Sequence, residues 1–298
     1  MLMQSPADIL KRIRKIEIHT KSLVTEIFGG EYHSMFKGQG LEFSEVREYM
    51  PGDNYRDIDW NVSARLGMPY IKKYRETREL NVFFIIDCSA SQNFGTRVML
   101  KKELMAEISA VLSFSALSNN DKVGMIMFSD QPEKYLSVRK GRNHTLQILR
   151  DILFLEPRST RTSLFSAFEY ANRILKKRSI VFVLSDFLDR GFEQPFSHLA
   201  RKHDVIAIRI TDATEMALPD AGVLSLIDPE TGEELMINTA SDAIRRQYRQ
   251  IMEGQHKALS ELIRQCGADL LSIRTDEPYI MTLKSFFERR RRKYRRRR

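Results

Sequence analysis

The stretch Asn81-Val82-Phe83-Phe84-Ile85-Ile86-Asp87-Cys88-Ser89-Ala90-Ser91 (NVFFIIDCSAS, 81–91) decides the fold. An unbroken apolar run of β-branched and aromatic residues that ends on a carboxylate predicts a strand buried on both faces. Four more runs share this texture: KVGMIMFS (122–129), SIVFVLSD (179–186), DVIAIRI (204–210) and ADLLSIR (268–274). Between them lie helical patterns over 97–118, 143–155, 163–177, 193–202, 241–265 and 279–292. Apolar strands alternating with amphipathic helices predict an α/β domain with a doubly wound, mostly parallel sheet. Two segments depart from the alternation. Lys134–Val138 reads as an edge strand, and Val223–Asn238 as a hairpin turning at Asp228–Gly232.

The composition excludes several classes. With 298 residues, 42% of them apolar and 29% charged, the chain reads as globular rather than disordered. No apolar run approaches the ~18 residues of a membrane-spanning helix. The two cysteines, Cys88 and Cys266, make neither a disulfide framework nor a four-cysteine metal site, so a reduced, cytoplasmic protein is expected. The net charge of +9 is the property of one segment. Arg289–Arg298 holds nine of the 48 basic residues, and the remaining 39 balance the 39 acidic ones. That run is expected to be a disordered tail that tethers the protein electrostatically to an anionic membrane surface or an acidic protein. A peripheral position at the inner membrane surface is thereby left open. Only Tyr294 interrupts the basic residues, which argues against single-strand nucleic-acid binding and leaves no specific nucleic-acid partner expected.

The part before residue 79 has a different texture. Ile9, Ile13, Ile16, Thr20, Leu23 and Ile27 fall on one helical face, and Gly29-Gly30 ends it. Gly38–Arg78 is dense in arginines, carboxylates and aromatics. Its charges Arg47, Asp53, Arg56, Asp57, Asp59 and Arg65 are expected to pair as a structural network, with Trp60 buried as an anchor. Composition therefore divides the chain into an N-terminal helical and irregular flank (1–78), an α/β domain (79–288) and the basic tail (289–298).

In a doubly wound sheet, ligands collect beyond the carboxyl ends of the strands. Asp87, Ser89 and Ser91 form D-x-S-x-S at one strand tip, and Asp186 ends another strand. Thr162, with Thr160 as a competitor, leads into a helix at the same end. Two carboxylates and three hydroxyls are hard oxygen donors, suited to Mg²⁺ or Mn²⁺ rather than to a soft metal. The chain contains no P-loop, no G-x-S-x-G elbow and no H-E-x-x-H helix.

This ordered set resembles the metal-ion-dependent adhesion site of von Willebrand factor A-like domains. There Asp87, Ser89 and Ser91 match D-x-S-x-S, Thr162 the threonine and Asp186 the final aspartate. Gln92 and Phe187 depart from the common pattern, in which methionine and glycine are frequent, but neither replaces a donor. The segment carrying Gly38, Gly40, Phe43, Arg47, Tyr49, Pro51, Gly52, Asp53, Arg56, Ile58, Asp59, Trp60, Ala64 and Arg65 is similar to the signature of the bacterial domain of unknown function 58 family. The resemblance implies a von Willebrand factor A-like, Rossmann-like fold and a Mg²⁺-dependent contact with a carboxylate of a partner protein. It also implies a MoxR-type AAA+ ATPase, or a client of one, as that partner. The expected role is a non-enzymatic adaptor. The alternative is a Mg²⁺- or Mn²⁺-dependent phosphohydrolase, since phosphoryl-transfer enzymes also place an aspartate and a dication at a strand tip.

Overall fold

A computed structural model of the chain describes residues 13–18, 20, 24, 42–55, 58–75, 79–95 and 98–295. Every apolar run of the α/β region forms a strand of one six-stranded sheet. In chain order these are β3 (Asn81–Asp87), β4 (Lys122–Phe128), β5 (Pro132–Arg139), β6 (Ile180–Ser185), β7 (Asp204–Thr211) and β10 (Asp269–Arg274). Their spatial order is β10-β7-β6-β3-β4-β5. All neighbours are parallel except β4 and β5, so β5 is the antiparallel edge that the sequence reading expects at Lys134–Val138.

Alternation along each strand sends side chains to two cores. Val82, Phe84 and Ile86 join one core with Leu104, Ile108 and Val111 of the Lys101–Ser118 helix and Leu283 and Phe287 of the Tyr279–Arg295 helix. Phe83 and Ile85 face the other way, into a core with Phe168, Phe196 and Ile263. Both faces of the sheet are thus covered by helices, which is why the strands carry no polar alternation.

The strand order reverses between β3 and β6: the chain winds from β3 outward to β4 and β5, then returns to β6 and winds the other way. A doubly wound sheet opens its ligand crevice at such a reversal, beyond the carboxyl ends of the two strands. Asp87 is the last residue of β3, and Asp186 directly follows β6.

Contacts divide the chain differently from composition, which draws its boundary at residue 78. Met1–Phe36 groups with Leu80–Arg298, and Lys37–Glu79 forms a second unit. Ile13 and Ile16 explain the first grouping, since both pack into the core that contains Val82 and Phe84. Glu17 is also held by Arg142 at 2.7 Å. The residues Ile9, Leu23 and Ile27 of the expected stripe lie outside the described residues.

Within the second unit, β1 (Glu42–Glu48) and β2 (Tyr70–Arg75) pair antiparallel. A short helix, Trp60–Leu66, is capped by the Asp59 carboxylate, which accepts from the amides of Asn61 and Val62, and it stops at Gly67 with φ 72°. Asp53 takes both guanidinium nitrogens of Arg47 at 2.9 and 2.8 Å, as well as the Met50 amide. That guanidinium holds the Asp53 carboxyl below its ordinary range. Part of the expected charge network is therefore present, while Arg56 and Asp57 lie outside the described residues. Trp60 is not the buried anchor expected of the largest aromatic. It is 70% exposed, because it opens a two-turn helix that buries none of its residues.

The basic run also differs from expectation. The last helix continues to Arg295, and Arg290 is 2% exposed. Its guanidinium bonds Asp204 and Asp269, each at 2.6 Å, at the amino ends of β7 and β10. Lys293 adds a second cation to Asp269 at 3.0 Å. Two carboxylates at the base of the sheet need a counter-charge, and this draws the start of the run into the fold.

Candidate metal centre

The residues at the strand reversal build the site in layers. Asp87 is fully buried, with Oδ1 accepting the Ser89 amide at 2.9 Å and Oδ2 accepting the Ser185 hydroxyl at 2.8 Å. Both donors are neutral. Burial, reinforced by the nearby Asp186 charge, pushes its pKa up to about 7. After β3 the chain enters a 3-10 turn over Ala90–Asn93, which brings the Ser89 and Ser91 hydroxyls to 3.0 Å from each other. The Ala90 amide bonds the Thr160 carbonyl at 3.0 Å, tying this turn to the threonine loop.

Asp186 enters from β6. Its Oδ2 accepts from Lys101 Nζ at 2.9 Å and from the Gln92 amide at 3.2 Å, and Gln92 also donates to Ser91 Oγ at 2.9 Å. The residue that departs from the family pattern at position 92 thus links the two halves of the site. The other departure carries strain: Phe187 has φ 57°, a left-handed conformation uncommon for a bulky residue. The Ser185 hydroxyl, bonded to the Phe187 amide at 3.1 Å, and the packing of its ring on Phe192 hold it there.

Lys101 is the main feature that sequence reasoning misses. It is wholly buried at the start of its helix and bonds Asp186 at 2.9 Å and Glu215 at 2.5 Å. Burial opposes its charge, yet the two carboxylates outweigh burial and hold its pKa above the ordinary lysine value. Burial likewise raises Glu215, against the pull of Lys101. These tendencies compete for one proton. The second anion on the same ammonium favours the charged lysine. Arg209 completes this side by donating to the Asp186 carbonyl at 3.2 Å.

Thr162 lines a cleft of about 660 Å³ together with Ser91, Asp186, Glu215 and Glu230. Thr160 is exposed and donates instead to the Glu230 carbonyl at 3.0 Å. Ser91, Thr162 and Asp186 line this cleft, whereas Asp87 and Ser89 are buried and do not, Ser89 being joined to Ser91 through its hydroxyl; the five expected residues thus lie at the same end of the sheet. Cys88 is a packed thiol: its Sγ lies 3.0 Å from the Phe128 carbonyl, and burial raises its pKa far from thiolate chemistry.

This donor set fits a hard dication. Neighbouring oxygens in an octahedral Mg²⁺ shell with 2.0–2.1 Å bonds stand about 2.9 Å apart. The Ser89 and Ser91 hydroxyls are 3.0 Å apart. Asp87, a buried carboxylate with neutral described donors, lacks the positive charge that burial demands. Among the described residues no three His, Cys, Asp or Glu side chains cluster as a metal site, so hydroxyls would have to complete the shell.

The sheet order, with one antiparallel edge and D-x-S-x-S at the reversal, defines a von Willebrand factor A-like domain. The chain belongs to the family described as Protein of unknown function DUF58, whose profile matches residues 45–258. It is similar to the uncharacterized protein Rv1480 of Mycobacterium tuberculosis, at 30% identity over 285 residues, 94% of this chain and 89% of the relative. It is also similar to the uncharacterized protein YeaD of Bacillus subtilis, at 26% over 109 residues, 37% of this chain and 25% of that protein. Similar solved structures include BatB from Bacteroides thetaiotaomicron, with TM-score 0.41 and 15% identity over 73% of this chain and 99% of that one. The SpRpn10 VWA domain has TM-score 0.41 and 12% identity over 69% and 94%. Among the described residues, no helix is long and apolar enough to cross a membrane.

Proposed function

We propose that this protein is a metal-dependent interaction adaptor, with Ser89, Ser91, Thr162, Asp87 and Asp186 holding Mg²⁺, or Mn²⁺ in its place. The observation that carries the reading is Asp87, a buried carboxylate bonded only by neutral described donors, beside two hydroxyls at the spacing of octahedral ligands. A bound dication supplies an unspent positive charge for a hard oxygen. Hydroxyl donors leave that charge uncancelled, and Lys101 already neutralises part of Asp186. A carboxylate from a partner protein is the natural complement, and exclusion of water at the contact would strengthen such a bond. We assign the partner to the MoxR-type AAA+ ATPases or their clients, on the family resemblance. A phosphohydrolase would want a second carboxylate two residues after Asp87, where Ser89 stands, and a lysine for phosphate, whereas Lys101 is buried against two carboxylates. The exposed arginines described in the basic run, Arg289 and Arg292, remain the candidate contact for an anionic membrane or an acidic protein.

Calorimetric titration of Mg²⁺ into the full chain tests the reading. Binding to the wild type that disappears in Asp87→Ala and Ser89→Ala is expected. So is capture of the purified ATPase that EDTA reverses. Equal capture in EDTA would refute the metal-dependent contact.

A further inference from the structure

The hairpin β8 (Val223–Ile227) and β9 (Glu234–Asn238) carries a carboxylate into the cleft. Glu230, in its turn, accepts the Thr162 hydroxyl at Oε1 (2.5 Å) and the Thr162 amide at Oε2 (3.1 Å). We infer that Glu230 is a tethered ligand of the metal centre, holding the position that a partner's carboxylate must take. The inference rests on the metal reading above and adds a residue that the D-x-S-x-S pattern does not contain.

Four observations support it. Glu230 Oε1 already stands 2.5 Å from Thr162 Oγ1, so a shift of a few tenths of an ångström reaches the about 2.9 Å spacing of octahedral ligands. The turn is preset to present it: Asp228 accepts the Glu230 amide at 2.8 Å and the Thr231 hydroxyl at 2.9 Å, and the Gly232 amide closes on the Asp228 carbonyl at 2.8 Å. The carboxylate is half-buried and both described donors are neutral, so a cation is the complement it lacks. It also lines the same cleft as Ser91, Thr162 and Asp186.

The support is built to release. Among the described residues, β8 and β9 have no strand partner but each other, and a two-stranded ribbon is marginal on its own; its turn is tied to the threonine loop by the bonds of Glu230 to Thr160 and Thr162. Val223, Leu235 and Met236 of the ribbon are exposed. A partner's carboxylate therefore competes with Glu230 by displacing a ribbon rather than by opening a core.

Mn²⁺ is the probe, with the free ion read by electron paramagnetic resonance and the bound ion by water-proton relaxation. Glu230→Gln and Glu230→Ala are expected to weaken Mn²⁺ binding by about tenfold, the low end of the effect of removing a group that supports a metal site. Relaxation per bound ion should rise as water takes the vacated position. Acetate should reverse that rise in Glu230→Ala at concentrations that leave the wild type unchanged. Glu230→Asp, shorter by one methylene, should fall between the two. If the wild type binds Mn²⁺ and the variants match it in affinity and relaxation, the inference fails while the metal reading stands. If the wild type binds no more Mn²⁺ than Asp87→Ala, both fall together.

Discussion

Replacing Lys101 with methionine keeps most of the side-chain volume and removes one buried positive charge. Its ammonium bonds Asp186 at 2.9 Å and Glu215 at 2.5 Å, and the side chain has no exposure. Breaking a buried ion pair by removing one partner costs about 3–5 kcal/mol, because the remaining charge is left in a poorly solvating site. At about 2–4 °C per kcal/mol for a domain of this size, the melting temperature should fall by roughly 6–20 °C. The structure further predicts how the loss is repaired. Glu215→Gln added to Lys101→Met removes one orphaned carboxylate and should recover part of the loss. Mg²⁺ should raise the melting temperature more in Lys101→Met than in the wild type, because Asp186 then faces the ion without a competing cation. Thermal melts of the four proteins (wild type, two single variants, double variant), with and without 10 mM Mg²⁺ (an amount of about millimolar order, chosen to exceed the Kd of an open site), read all three effects. Lys101→Met melting with the wild type, or a double variant no more stable than Lys101→Met, would refute the ion-triad argument.

Other consequences are as direct. The Asp87 pKa, raised to about 7, makes the folded state bind more protons than the unfolded state between the ordinary carboxylate value and pH 7. Ion-free stability should therefore decline as pH rises through that window and level off above it. Mg²⁺ affinity should rise with pH by up to about tenfold per unit below pH 7, with proton release visible in calorimetry in buffers of different ionisation enthalpy. Arg290→Met should cost about 3–5 kcal/mol in chemical denaturation, while Arg292→Ala stays within about 0.5 kcal/mol. Equal effects would show that the burial of Arg290 is irrelevant. Gly124→Ala would place a Cβ 2.9 Å from the Leu136 carbonyl and the Val138 amide of β5, which should cost about 1–3 kcal/mol and loosen the edge strand, read as faster amide exchange in Pro132–Arg139.

The sheet was legible in the sequence because buried parallel strands need unbroken apolar runs, and Val82–Ile86 and Ile180–Leu184 supply them whatever their neighbours. The floor of the site was legible for a related reason: Asp87, Ser89 and Ser91 are fixed by one strand tip and one turn, so their spacing in sequence is their spacing in space. Lys101 and Glu230 had no such signal. Lys101 meets Asp186 across 85 residues and Glu215 across 114, and Glu230 meets Thr162 across 68, so only the topology brings them together. Arg290 was hidden by its neighbours, since one structural arginine in a basic run looks like the rest. Trp60 misled for the opposite reason: its size suggested burial, while the short helix that carries it has no buried face.

The position of β10 has a consequence for synthesis of the chain. β7, with all eight residues buried, lies between β6 and β10. Its outer partner emerges from the ribosome about sixty residues later, roughly 3–12 s at 5–20 residues per second. During that interval the nascent sheet can pair β5, β4, β3, β6 and β7, leaving the apolar DVIAIRIT strand as an open edge. An open, flat, apolar edge is a template for pairing with other chains. Arg290, which bonds Asp204 at the foot of β7, arrives later still, 86 residues behind it. Yield of soluble protein should accordingly depend on translation speed and chaperone supply more than the stability of the finished sheet would suggest.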